Sequence, residues 1–337
     1  MPPFPFFRAK LAVVLAVLLS CPVAWAGGPA SGVYHAEEVK DSPRMKAAGL
    51  AWWKDRLVIA DRGGIKLRTF APPDVWGELG EPTPPPVALA AALDGSLILT
   101  QRELRGFYRL SRLAPDESVT TLAESRKELK DDPSGVGTPQ FVAVHPNGTI
   151  YWSGFPDAGT RYLLPGATKV TVAEPSILHT YGIGLSPKHD WLYVSSKAPD
   201  PGRRGVWRFP VRKDGSLGKG EPFLRIDQFT TTHLKGLPKA MDESDQLKGW
   251  VGRLQGLAVD KFGYVYVGGA EGHTSGKAVA VFSPDGKALA AMIVGVPTNV
   301  SGLAFGGKDG RTLFITGAGE YRLHQVRLPV AGEVFRD

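Results

Sequence analysis

Residues 254–269 read LQGLAVDKFGYVYVGG. Small and apolar residues alternate up to Val259, a turn follows around Phe262-Gly263, and a second alternating run ends in two glycines. Period-two alternation on both sides of a glycine turn is a β-hairpin. Five further stretches share the form: AGLAWWKDRLVIAD (48–61), VALAAALDGSLILTQ (87–101), QFVAVHPNGTIYWSG (140–154), YGIGLSPKHDWLYVSS (181–196) and SGLAFGGKDGRTLFITG (301–317). Six copies over the 290 residues from Ala48 to Asp337 give about 48 residues each, near the roughly 40–50 of a four-stranded propeller blade. Further strand-like runs follow most copies, such as GVWRFPV (205–211) and AVAVFS (278–283). The expected fold class is all-β, a six-bladed β-propeller forming one domain over residues 27–337. Ring closure needs a strand from the opposite chain end, and residues 33–39 are expected to supply the outer strand of the last blade.

The first 26 residues carry Arg8 and Lys10, no acid, an apolar run from Leu11 to Leu19, and Ala24-Trp25-Ala26. This is the pattern of a signal peptide cleaved after Ala26, with an apolar run too short to span a bilayer. The protein is therefore expected to be exported, to the periplasm or outside the cell, without a transmembrane helix. Leu18-Leu19-Ser20-Cys21 resembles a lipobox loosely; bulky Leu19 argues against lipidation at Cys21. Since Cys21 is the only cysteine, the mature chain would hold no disulfide, thiol nucleophile or cysteine-bound metal. Its 38 basic against 33 acidic residues are dispersed, with no aromatic-basic stripe, which disfavours nucleic-acid binding.

Blade topology divides the residues between two faces. Asp94-Gly95, Asn147-Gly148, Phe262-Gly263 and Asp285-Gly286 are turn chemistry on one face, where His145 and His189 are expected as exposed turn residues. The other face receives the longer segments 154–160, 197–204, 269–276 and 227–254, and long loops on a rigid scaffold carry binding sites. Asp61, Asp157, Glu174, His179, Glu271, His273 and Glu320 fall on or near it. The first residues of the copies, Ala48, Val87, Gln140, Tyr181, Gln255 and Ser301, should ring the mouth of the central channel there. Glu271 and His273 in a glycine-rich loop, and His179 two residues before Tyr181, are the candidates for acid–base catalysis. No Gly-x-Ser-x-Gly elbow or His-Glu-x-x-His motif occurs.

The sequence resembles the senescence marker protein, gluconolactonase and luciferin-regenerating enzyme family. The resemblance is strongest in YGIGLSPKHDWLYVSS (181–196), LQGLAVDKFGYVYV (254–267) with FSPDGKAL (282–289), and VPTNVSGLAFGGKDGRTLFITGAG (296–319). It implies six blades, a divalent metal, often calcium, in the channel, and hydrolysis of sugar lactones or related esters. The implied ligand positions, a glutamate in the first blade, asparagines in the third and fourth and an aspartate in the fifth, fall on Ala48, Gln140, Tyr181 and Gln255. A hard cation wants several oxygen ligands with carboxylate charge among them, so no metal is expected. Gln140, Tyr181, Gln255 and Ser301 would instead either form an uncharged polar mouth for a hydroxyl-rich or amide ligand or a lactone, or satisfy one another and bound water in a plugged channel. The expectation is a diverged, metal-independent lactone or ester hydrolase. The alternative is a non-catalytic propeller that binds a sugar-like or peptide ligand or a partner protein. A third arrangement would hold a metal through Asp61 or Glu320.

Overall fold

Each copy of the repeat becomes the two inner strands of a blade, because its apolar residues must be covered on both faces. The computed structural model describes residues 32–333 except 73–74, 83, 104–105, 127–134, 156–158, 199–202, 226–252, 271–277, 298, 318 and 320. Among the described residues there is no α-helix, and so none long and apolar enough to cross a membrane. Two short strands come first, β1 (Gly32–His35) and β2 (Glu37–Glu38). Blade 1 contains β3 (Ala47–Trp53), β4 (Arg56–Asp61), β5 (Lys66–Ala71) and β6 (Val75–Gly80). Blade 2 contains β7 (Pro86–Ala91), β8 (Leu97–Arg102), β9 (Phe107–Leu113) and β10 (Val119–Arg126). Blade 3 contains β11 (Pro139–Val144), β12 (Ile150–Gly154), β13 (Arg161–Leu163) and β14 (Thr171–Val172). Blade 4 contains β15 (Thr180–Leu185), β16 (Trp191–Ser196), β17 (Gly205–Pro210) and β18 (Glu221–Arg225). Blade 5 contains β19 (Arg253–Val259), β20 (Val265–Ala270), β21 (Val279–Phe282) and β22 (Leu289–Val294). Blade 6 contains β23 (Val300–Gly306), β24 (Thr312–Gly317) and β25 (His324–Arg327).

The N-terminal run closes the ring by a different division from the one expected. Glu37 and Glu38 alone pair antiparallel with β25 as the outer strand of blade 6. Residues 32–35 instead pair parallel with β22, adding a fifth strand to blade 5. The run is shared because Ala36, whose amide bonds the Val294 carbonyl, ends one pairing before the next begins.

Packing lies between blades. Alternate residues of β4 point to opposite neighbours: Leu57 and Ile59 join the cluster with Phe314 of blade 6, Val58 and Ala60 the cluster with Leu97 and Leu99 of blade 2. All four are fully buried, which explains why the inner strands read as continuous apolar runs. Six such clusters fill the six blade interfaces.

Hydroxyl groups tie the innermost strands together near the loop face. Thr100 Oγ1 accepts from Ala88 N and donates to the Gln140 carbonyl of the next blade, both at 3.1 Å. Ser153 repeats this with Phe141 N and the Tyr181 carbonyl, and Ser195 with Gly182 N and the Gln255 carbonyl, both at 2.8 Å. Ser301 Oγ donates to the Ala47 carbonyl at 3.1 Å, tying blade 6 to blade 1.

On the opposite face the glycines of the expected turns have positive φ, from +72° at Gly286 to +90° at Gly148. Asp260 sits fully buried in the blade 5 turn. Its carboxylate accepts from Phe262 N, Tyr264 N and the Tyr266 hydroxyl, yet burial outweighs these bonds and raises its pKa to about 6.

Two expectations follow for stability. Ser195→Ala leaves a buried N–H and a buried carbonyl unpaired and should cost about 2–3 kcal/mol in urea unfolding; a loss below about 0.5 kcal/mol would show that this bridge does not hold blades 4 and 5. Because Asp260 has a folded pKa above its ordinary 3.8, it favours the fold most while protonated, and that contribution is lost as pH rises from about 4 to about 6. The stability difference between wild type and Asp260→Asn should therefore change by up to ~3 kcal/mol across that window, and parallel pH profiles would contradict the assignment.

Candidate functional site

The six innermost strands all begin irregularly. Their pairing slips within Ala47/Leu50, Pro86/Ala88, Pro139/Val142, Thr180/Ile183, Leu254/Leu257 and Val300/Gly302. The positions expected to ring the mouth, 48, 87, 140, 181, 255 and 301, all fall inside these bulges, which re-aim side chains at strand ends. Gln140 and Gln255 are each only 5 % exposed, and their side-chain amides make no hydrogen bond with any described residue. Tyr181 is half-buried, with Phe155 edge-on at 5.1 Å between ring centroids and Lys197 Nζ 3.7 Å from its centroid. Ser301 holds its ring position, but its hydroxyl is used in the bridge to Ala47.

A second crown lies just above. The residue that follows the pairing of the first two strands donates its backbone N–H to the entering chain in four blades: Arg62 to Lys46 O (3.2 Å), Arg102 to Pro85 O (3.0 Å), Phe155 to Thr138 O (3.1 Å) and Lys197 to His179 O (3.0 Å). One hydrogen bond, repeated, thus gives equivalent placement to three cations and one aromatic ring. Burial lowers the Arg62 pKa, the like charge of Arg102 lowers it further, and Tyr181 opposes the shift. Blades 1 and 4 stand opposite each other in a six-bladed ring, and Arg62 feels the Tyr181 hydroxyl electrostatically from the other side.

The sequence candidates divide. Asp61 does not face the mouth: it is 2 % exposed, its Oδ1 accepts from the amides of Lys46, Gly63 and Gly64, and its Oδ2 from Arg68 Nε at 2.7 Å. It nucleates the blade 1 loop. Glu174 bonds the Ser176 hydroxyl. His179 lies beside the mouth, its ring edge-on to Phe155 at 5.5 Å. Glu271, His273, Glu320 and Asp157 lie outside the described residues. His145 and His189, expected as exposed, are half-buried. Their rings are 5.6 Å apart, and His189 Nε2 stands 3.2 Å from Glu333 Oε1 where the C-terminal segment crosses the channel. Burial holds His189 below and Glu333 above their ordinary values. Between this far end and the mouth lies a cavity of about 200 Å³, bounded by residues 50–52, 89–91, 142–144, 183–185, 257–259 and 303–305. It is lined by strand edges with no sheet partner, so its backbone groups need water.

No curated protein matches this sequence. The SMP-30/Gluconolactonase/LRE-like region matches residues 47–319. The chain belongs to that family. Among solved structures it is similar to a gluconolactonase from Xanthomonas campestris (20 % identity, TM-score 0.62, covering 92 % of this chain and 100 % of that one). It is also similar to regucalcin, a calcium-binding protein from Agrobacterium tumefaciens (18 %, 0.66, 90 % and 97 %), and to a luciferin-regenerating enzyme (16 %, 0.65, 90 % and 97 %). At these identities the similarity establishes the fold.

A calcium site, as in regucalcin, does not fit the donors present here. The implied positions offer alanine, two neutral amides and a phenol. No cluster of three His, Cys, Asp or Glu occurs among the described residues. Those four positions supply no carboxylate charge to offset the desolvation of a divalent cation. The family's ring positions were readable from the repeat, whereas the cationic crown was missed. Its signal was present, since IAD-Arg62, LTQ-Arg102 and VSS-Lys197 each continue a second strand by one residue.

Proposed function

We propose that the channel mouth is a metal-independent site for a lactone or ester and the hydroxy acid it yields, in a protein exported from the cytoplasm. The observation that carries this reading is the pair Gln140 and Gln255, nearly buried, with side-chain amides that bond no group among the described residues. A buried amide stripped of partners costs about 1–3 kcal/mol, so these two are built to meet water or a ligand. Each offers two donors and an acceptor, which suits a carbonyl oxygen flanked by hydroxyls. The bulges fix where they point.

For hydrolysis, the amide donors would hold the carbonyl oxygen, and charge developing on it would be stabilised without a Lewis acid. A water attacks the carbonyl carbon in this reading; His179, the described residue suited to it, accepts the water's proton and returns it to the alkoxide oxygen as the acyl C–O bond breaks, leaving the hydroxy acid. One observation favours a second reading, binding without turnover: no described carboxylate orients the His179 ring, whose recorded neighbour is Phe155.

A hydrolysis assay with glucono-1,5-lactone in chelator separates the two. Turnover unchanged by chelator is expected, with kcat/KM falling about tenfold in Gln140→Leu and in Gln255→Leu, one hydrogen bond each. His179→Asn should lower kcat about a hundredfold or more. Turnover abolished by chelator would contradict the metal-free mechanism. Absence of turnover, with saturable lactone binding lost in the glutamine variants, would establish the binding reading.

A further inference from the structure

Arg62 and Arg102 stand where the first two strands of adjacent blades stop pairing on the loop face. Several arginines on the blades pair locally with acids: Arg68 with Asp61, Arg109 with Glu124, Arg208 with Glu221, Arg327 with Asp309. No carboxylate pairs with Arg62 or Arg102 among the described residues. The acids beside them do not help, because Asp61 turns inward to Arg68 and the loop amides, and Glu103 contacts neither guanidinium. Two like charges are nevertheless brought to equivalent places on adjacent blades by the same backbone hydrogen bond, with Lys197 in that place on blade 4. They stand one residue beyond the pairing of the inner strands, on the same face as the strand starts that hold the nearly buried Gln140 and Gln255.

We infer that the mouth takes an oxyanion, a carboxylate or a phosphate, carried on a hydroxylated small molecule and held between Arg62 and Arg102 with its hydroxyls toward Gln140 and Gln255. This rests on the ring being the ligand site, as proposed above, and adds the charge of the ligand. Guanidinium groups bind planar oxyanions through paired N–H donors, and two of them facing one space repel until an anion enters. Arg62 is exposed as a whole residue, and partial desolvation of its guanidinium, followed by the like charge of Arg102, holds its pKa below the ordinary value. Lys197, stacked on Tyr181, sets a third positive charge at the rim. The crown thus reverses the charge that the family implies for this position: where a cation would gather ligand oxygens, fixed cations gather an anion.

Calorimetric titration of the purified mature protein in chelator tests it, with D-glucuronate, D-glucose 6-phosphate and uncharged methyl glucoside as probes. One or both anions should bind at least about tenfold more tightly than the glucoside, with affinity falling as sodium chloride is raised. Which anion wins distinguishes carboxylate from phosphate. Arg62→Gln and Arg102→Gln should each weaken anion binding about tenfold while leaving glucoside binding unchanged. Equal binding of charged and neutral probes overturns the inference and leaves the glutamine ring as the site. Anion binding lost in the arginine variants but intact in Gln140→Leu and Gln255→Leu upholds the crown and removes the ring from the site. Absence of binding by every probe, or salt-independent binding in the wild type, also overturns the inference, and neither result depends on how a variant folds.

Discussion

The close approach of six innermost strands near one end of the channel is the constraint on which the rest depends. Each interface meets it with a local device. Thr100, Ser153 and Ser195 bridge three neighbouring pairs of blades, and Ser301 bridges the sixth blade to the first. The two remaining interfaces use glycine: a Cβ on Gly49 would lie 2.4 Å from Ala88 Cα, and one on Gly268 would lie 2.8 Å from the Val300 carbonyl. A hydroxyl bridge satisfies a buried N–H and a buried carbonyl where the bulge has removed them from the ladder. The same bulges hold the ring positions, where Gln140 and Gln255 keep side chains without a hydrogen-bond partner among the described residues and Ser301 is taken up by its bridge. Ring closure and site construction are therefore one piece of backbone chemistry.

That arrangement separates scaffold from site chemistry. The Thr100, Ser153 and Ser195 bridges come from outside the ring and act on backbone groups, so ring side chains at 140, 181 and 255 can change without loosening the blades, whereas Ser301 is both ring residue and bridge. A carboxylate cluster at a channel mouth is stable only with a cation to hold it. Neutral amides and a phenol need none, and they tolerate arginines overhead that a metal site would exclude by repulsion. The residues at 48, 140, 181 and 255 and the cations at 62, 102 and 197 are thus mutually compatible, since none of them carries the negative charge that a divalent cation would need.

Much of this could be read in the sequence because a repeat exposes equivalent positions. Six copies fixed the fold class, the turn glycines and the ring, since period-two alternation and positive φ are local properties. Three features escaped. The run 33–39 divides between two blades, because pairing partners for a short edge strand are set by tertiary registry. His145 is half-buried against Tyr151 and His189, and His189 meets Glu333 of the C-terminal segment, long-range contacts without local signature. The cationic crown needed knowledge of where pairing stops, since Arg62, Arg102, Phe155 and Lys197 are equivalent only by the hydrogen bond they share. Asp61 misled for the opposite reason: a carboxylate at a strand end looks like a ligand until the loop amides claim it.

The most direct test of the central claim is a crystal structure of the protein grown with both calcium and glucuronate, phased so that calcium shows its anomalous signal. The account predicts the glucuronate carboxylate within hydrogen-bond distance of Arg62 and Arg102, and no calcium among Gln140, Tyr181 and Gln255. Calcium coordinated by those residues, with the carboxylate directed at the metal instead of the arginines, would contradict it.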